Sequence, residues 1–316
     1  MGKPNSNLGA SRYDKLKNKA RAEKKPFMSL VDQYAFTGLL RRLSKSEWGE
    51  FFSLKGGMMM LVLTGECSRP TKDVDLDGPR ALSLEELKAA IRDIATTDIG
   101  DEDDGLTFDL DEIKVDKDRT AEGLISGAKV TLPARLGKAS LGLKIDVGFE
   151  NVVTPELRPA SVPAQLKDEG DVRVMMYPIE TSIAEKFRAM VYYGRANSRL
   201  KDFYDIQMFR TLAEMDGEVV AMALERSCDK FGFKVPPLAY IPALDTDPEN
   251  AEVFRRQWIS FTKKNGLEAS SFEQCQIEIR EFLGPVIDFM NGQGPCPGRW
   301  HPENGWSQDA ALELAM

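Results

Sequence analysis

The chain has 316 residues, a formal net charge of −8, 42% hydrophobic and 29% charged residues, the make-up of a globular protein with room for one large domain or two ordinary ones. No apolar run nears the ~20 residues of a membrane span, the opening "MGKPNSNLGA" lacks the apolar core of a secretory signal, and four scattered cysteines with one histidine, His301, exclude a Cys/His zinc site. The acidic balance excludes wholesale coating of nucleic acid, reduced thiols in a cytosol are expected, and the basic runs 12–25 and 185–201 leave room for a local basic face.

In chain order, residues 12–45 read as helices, with Leu30, Tyr34, Leu39 and Leu40 near helical spacing and Ser29 as a candidate N-cap. The Gly56-Gly57 pair then breaks the chain, and "MMMLVLTG" predicts a helix closing at Gly65. "TKDVDLDG" predicts a short strand ending at Gly78, with Asp77 as turn chemistry beside that glycine. "SLEELKAAIRDIA" predicts a helix opened by a capping box of Ser83 and Glu86. The acidic stretch 98–105 reads as a solvated loop, "LTFDLDEIKV" as one alternating strand, and "AKVTLPARLG" and "ASLGLKIDVGF" as two antiparallel neighbours.

Beyond residue 150 the pattern changes. "VVTPELRPASVPAQLKDEG" reads as Pro-rich loop. "YPIETSIAEKFRAMVYYG" predicts a helix with Ser182 and Glu185 as a second capping box and Ile183, Phe187, Met190 and Val191 as its apolar stripe. Gly194 and Asn197-Ser198 mark a break, helical patterns follow, and the Gly/Pro/Trp-rich end reads as loop with a poorly ordered tail. The order of helices, small mixed sheet and helical half predicts an α+β protein of two domains, residues 1–175 and 176–316.

Strand alternation gives the chemistry. In "TKDVDLDG" positions i and i+2 share a face, so Asp73 and Asp75 project together with Thr71 in their row, while Val74 and Leu76 face a core. Two carboxylates about 6–7 Å apart repel unless a divalent cation lies between them, and Mg²⁺ takes one or two carboxylates plus substrate phosphates. Asp146 lies between apolar Ile145 and Val147 and so points the opposite way from them. If the two strands are neighbours, three carboxylates converge, the arrangement of two-metal phosphoryl or nucleotidyl transfer. The pattern "FDLDE" repeats the spacing at Asp109 and Asp111 but lacks a preceding Gly-Gly helix and a third acid, and reads as solvent-facing acids. Lys186 lies at the edge of an apolar stripe, reaching outward toward an anion. Asp202 and Asp205 share a helical face, with Lys201 placed to pair with Asp205.

The stretches "FFSLKGGMMMLVLTGECSRPTKDVDLDG", "LKIDVGFEN", "YPIETSIAEKFRAMVYYGRANSRLKDFYDI" and "DPENAEVFRRQWISFTKKNGLE" resemble, in that order, the nucleotidyltransferase AbiEii/AbiGii toxin family over roughly residues 12–285. The resemblance implies a small mixed-sheet nucleotidyltransferase core of the polymerase-β type flanked by helices, then a mostly helical C-terminal domain. It implies an NTP substrate, Mg²⁺ (or Mn²⁺) and a cytoplasmic enzyme of the EC 2.7.7 type. It implies a toxin of a toxin–antitoxin or phage-defence system, with an antitoxin encoded nearby, that transfers NMP to RNA, above all to the 3′ end of tRNA, and so stops translation. It matches Asp73, Asp75 and Asp146 to the metal-binding acids and Gly56 and Gly57 to the phosphate-holding glycines; Lys55, Arg69 and Thr71 are further candidates for the phosphate-binding surroundings. Lys186 matches the triphosphate lysine. Asp202 matches the essential acid of the last motif, with Asp205 as a substitute. Two other classes stay open: NMP transfer to a protein hydroxyl, and a non-catalytic nucleotide-binding module.

Overall fold

The computed structural model describes residues 6–65, 71–119, 125–245 and 248–308. The chain divides into two compact units, Met1–Asn151 with Arg158–Met176, and Val152–Leu157 with Tyr177–Met316. The architecture is α+β.

The first unit opens with helices α1 (Ser6–Glu23) and α2 (Phe27–Lys45), then strand β1 (Ser53–Lys55) and helix α3 (Met58–Thr64). Strand β2 (Val74–Gly78), helix α4 (Leu84–Thr96) and strands β3 (Leu106–Phe108), β4 (Lys114–Arg119), β5 (Ile125–Leu136), β6 (Ala139–Phe149), β7 (Arg158–Val162) and β8 (Val172–Met176) follow. Among the described residues the strands form one mixed sheet in the order β3-β5-β6-β2-β1-β8-β7, with β4 also on β5. β5 and β6 pair antiparallel, as their alternation predicts, and β2 runs parallel to β6. One sheet face is apolar: Leu54, Val74, Leu76, Val130, Ile145 and Val147 are all buried. Each such side chain contributes roughly 1.5–3 kcal/mol on burial. The alternate residues carry the polar face, where the acids sit.

Several local expectations change. α2 starts at Phe27 after Pro26, so Ser29 lies inside its first turn rather than at the cap. β1 and β8 were hidden between stronger signals, and β7 lies in the stretch expected to be loop. β7 ends the strand order, and Pro159 there is tolerated because an edge strand can spare an N–H. "LTFDLDEIKV" is two strands, because β3 and β4 pair with successive parts of β5 and the chain turns between them. The acidic loop is not wholly solvated. Asp104 is fully buried and accepts two hydrogen bonds from Arg42, at 2.6 and 3.0 Å. The expected boundaries hold at α3, whose C-cap Gly65 has φ 74°, and at α4, where the Ser83–Glu86 capping box forms in both directions.

The second unit contains helices α5 (Ile179–Tyr193), α6 (Leu200–Phe209), α7 (Gly217–Asp229), α8 (Pro248–Asn265) and α9 (Phe272–Met290), and strands β9 (Met215–Asp216), β10 (Arg299–His301) and β11 (Gly305–Ser307). α5 begins after Pro178, so Ser182 is buried within the first turn and makes no N-cap. Ile183, Phe187 and Met190 of its stripe are buried. The Gly/Pro/Trp-rich end is a hairpin, not a loop. β10 pairs with β11 and β9, and Trp306 stacks on Phe282 at 5.6 Å between ring centres. The tail from residue 309 lies outside the described residues.

Candidate active site

The polar face of the sheet is set by register. β1 and β2 align Lys55 with Asp75, the parallel β2–β6 pair aligns Asp75 with Asp146, and β5–β6 aligns Lys129 with Asp146. Partners in register share a face, about 4.8 Å apart per strand. Lys55, Asp75, Asp146 and Lys129 therefore form one row across four strands, two carboxylates between two lysines. Lys129 Nζ stands 3.8 Å from Asp146 Oδ2. The like charges of Asp75 and Asp146 repel, so the row favours a cation between them.

The two glycines before α3 differ. Gly56 has φ 67°, and a Cβ there would overlap the Asp75 carboxylate and stand 2.7 Å from Asp75 Cβ. Only glycine adopts that backbone freely and leaves room for the acid. Gly57 has helical angles, φ −64° and ψ −32°, and its N–H donates to Asp75 Oδ2 at 3.3 Å. The turn thus holds Asp75 in place.

Asp73 precedes the first residue of β2 and is half-buried. The buried Thr71 hydroxyl donates to its backbone oxygen at 2.9 Å and contacts its Oδ1 at 3.2 Å. Among the described residues no three Asp, Glu, His or Cys side chains gather closely enough to hold a metal on their own. The donor set still fits Mg²⁺, whose coordination takes one or two carboxylates with the rest from water and phosphate. Asp75 and Asp146 are two such neighbouring hard oxygen donors. Arg69 lies outside the described residues.

The structure adds one more acid to this face. Asp77 is no turn residue: it lies inside β2, on the face of Asp75, and is 4% exposed. Lys55 Nζ is 3.7 Å from its Oδ1, and the Asn151 amide donates to the same atom. Alternation alone could have placed Asp77. Lys129 and Asn151 needed the strand pairing. Asp109 and Asp111 of the competing pattern are exposed in the turn between β3 and β4.

In the second unit α5 and α6 bring Lys186 to both acids of the last motif. Lys186 Nζ lies 2.9 Å from Asp205 Oδ2 and 3.5 Å from Asp202 Oδ1. Arg199 Nε donates to Asp202 Oδ2 at 2.6 Å. Both aspartates are buried, so Asp205 faces Lys186 rather than the Lys201 expected from helical spacing.

Comparison with known proteins gives the following. A family model described as nucleotidyl transferase AbiEii toxin, type IV TA system, matches residues 38–278. No curated protein matches the chain. A crystal structure of a candidate nucleotidyltransferase from H. pylori is similar at 13% identity and TM-score 0.48, covering 84% of this chain and 96% of that one. That of JHP933 from Helicobacter pylori is similar at 14% identity and the same score, covering 84% and 93%. Both are too distant to carry an assignment.

Proposed function

The chain belongs to the AbiEii nucleotidyl transferase toxin family of type IV toxin–antitoxin systems, and from that premise and the acidic row we propose that it transfers NMP from an NTP to an RNA acceptor, with the 3′ end of tRNA as the favoured acceptor and arrested translation as the outcome. Membership implies a nucleotide substrate and an antitoxin partner. No described helix is long and apolar enough to cross a membrane, and an enzyme acting on NTP and tRNA works in the cytoplasm.

The observation that carries the reading is the in-register Asp75–Asp146 pair behind the left-handed Gly56 turn. Asp75 and Asp146 would hold Mg²⁺, with Asp73 assigned to the metal on the family pattern alone; the ion when bound would offset phosphate charge and lower the pKa of a coordinated hydroxyl. The protein's own part is positional. The Gly56 turn fixes Asp75, the Thr71 hydroxyl fixes Asp73, and β5–β6 pairing sets Lys129 beside Asp146. Asp146 is the acid assigned to accept the proton of the attacking hydroxyl. Lys55, Arg69 and the backbone of Gly56 and Gly57 are assigned to the phosphates, as is Lys186 on the family pattern, with Asp202 as the acid of the last motif. Preorganised charges of this kind are the main lever of phosphoryl transfer.

Incubation with each of four labelled NTPs, Mg²⁺ and, in separate arms, total RNA and total protein tests the proposal. Label in small RNA, lost in Asp75→Ala, is the expected result. Label in protein would replace the acceptor, and growth arrest by an Asp75→Ala protein would remove the catalytic reading.

A further inference from the structure

Asp77 has no part in the mechanism above, yet its carboxylate is buried beside the acidic row. Burying a charge is costly unless it is paired and hydrogen-bonded. The pairing is specific: Lys55 Nζ approaches Oδ1 at 3.7 Å, and the Asn151 amide donates to the same oxygen. Gly148 is its register partner on β6. A Cβ at Gly148 would meet Asn151 Nδ2 at 2.8 Å, Asp77 Oδ1 at 2.9 Å and Lys55 Nζ at 3.0 Å. The sheet leaves an empty position where these three groups meet.

Stability alone is a weak reason for such a pair, since a well-packed apolar pair of similar volume is often as stable. The position of Lys55 gives a better one. It is the last residue of β1, in register with Asp75 and directly before the Gly56 turn. Its side chain is 16% exposed, against 5% for that of Asp77. One end of the pair is anchored and the other reaches the polar face. We propose that Asp77 is a positioning residue that, with Asn151, fixes the Lys55 ammonium beside the acidic pair, so that Lys55 meets the triphosphate of the incoming nucleotide with its charge already in place. The proposal rests on the nucleotidyltransferase reading and goes beyond it in assigning Asp77, Asn151 and Gly148.

Two measurements test it. The first is a double-mutant cycle of Asp77→Asn and Lys55→Met, read as pyrophosphate release against NTP concentration. Asp77→Asn is expected to raise KM for NTP about tenfold, the loss of roughly one charge-assisted contact, with a smaller change in kcat. In the Lys55→Met background it should add less than about twofold, because coupled residues are not additive. The second needs no turnover: acetylation of lysines in the folded proteins, read by mass spectrometry. Lys55 should react several-fold faster in Asp77→Asn, with Lys144 unchanged. Gly148→Ala keeps every charge but crowds the three groups, and should reproduce both effects if Asp77→Asn does not fold. Losses that multiply in the cycle, or a Lys55 equally protected in folded Asp77→Asn, overturn the proposal. A wild-type protein that turns over no NTP counts against the enzymatic reading, and the acetylation result then decides the role of Asp77 alone.

Discussion

Gly56→Ala tests the link between backbone and site most directly. Gly56 has φ 67°, and a methyl there overlaps the Asp75 carboxylate. The left-handed conformation costs an L-residue about 1–2 kcal/mol. The collision then drives Asp75 off its rotamer, at a further ~0.5–1.5 kcal/mol, and removes the acceptor of the Gly57 N–H. The sum is about 1.5–3.5 kcal/mol of stability, read as a lower denaturation midpoint. Nucleotide transfer should fall by more than stability does, because the displaced group is Asp75 itself. Gly57→Ala is the control, since Gly57 has helical angles and incurs no such backbone strain. Equal midpoints for the two variants, or full nucleotide transfer by folded Gly56→Ala, would refute the reasoning.

Three further outcomes follow from buried or paired charges. Arg42→Leu leaves the fully buried Asp104 without its two-pronged partner and should cost ~3–5 kcal/mol, toward the low end because Arg41 stands 3.7 Å away; an unchanged urea midpoint would show the pair to be dispensable. Lys186→Met leaves Asp202 and Asp205 buried without their shared cation, so it should lower thermal stability as well as activity, and adding Asp205→Asn should restore part of the stability but not the activity. The Lys15 ammonium, ahead of burial and Arg12, sets the Asp168 carboxyl, which is pulled down to about 2. A depressed acid contributes stability that is present above its unfolded pKa of about 3.9 and is lost as pH falls through the folded value. Wild type should therefore lose stability between about pH 4 and 2 more steeply than Asp168→Asn, and parallel acid curves would refute the assignment.

The sequence showed those parts of the fold whose signals are local. β5 and β6 are long and alternate cleanly, so their pairing and the facing of Asp146 could be read. The Gly65 stop and the Ser83 cap each depend on a few adjacent residues. β1, β7 and β8 have three to five residues apiece and exist through their pairing with each other or with β2. The buried Asp104 was hidden for a similar reason. In "DEDDG" it looks like any solvated acid, and the arginine that buries it comes from α2, 62 positions away. Gly78 makes Asp77 look like a turn residue, whereas the residue that answers it, Lys55, lies on the neighbouring strand. The two D-x-D patterns differ in this respect too. Asp109 and Asp111 turn outward at the sheet margin, while Asp75 lies on an inner strand with a lysine or an acid on either side.

That row also predicts how the site takes its ligands. Two lysines flank two carboxylates and offset part of their charge, Lys55 being shared with Asp77, so the row does not require a metal to fold. Asp75 and Asp146 supply fewer oxygens than Mg²⁺ coordinates, and the remainder must come from water or phosphate. Mg²⁺ alone should bind weakly and raise the thermal midpoint little. NTP alone brings phosphate charge to a face that already holds two carboxylates, and should also shift it little. Together each supplies what the other lacks, and at a hundredfold excess over Kd the stabilisation should approach ~2.7 kcal/mol. The shift should be far more than the sum of its parts and should disappear in Asp75→Ala. Full stabilisation by Mg²⁺ without nucleotide would mean a complete metal site in the protein itself, and the row would then have to be something other than half of one.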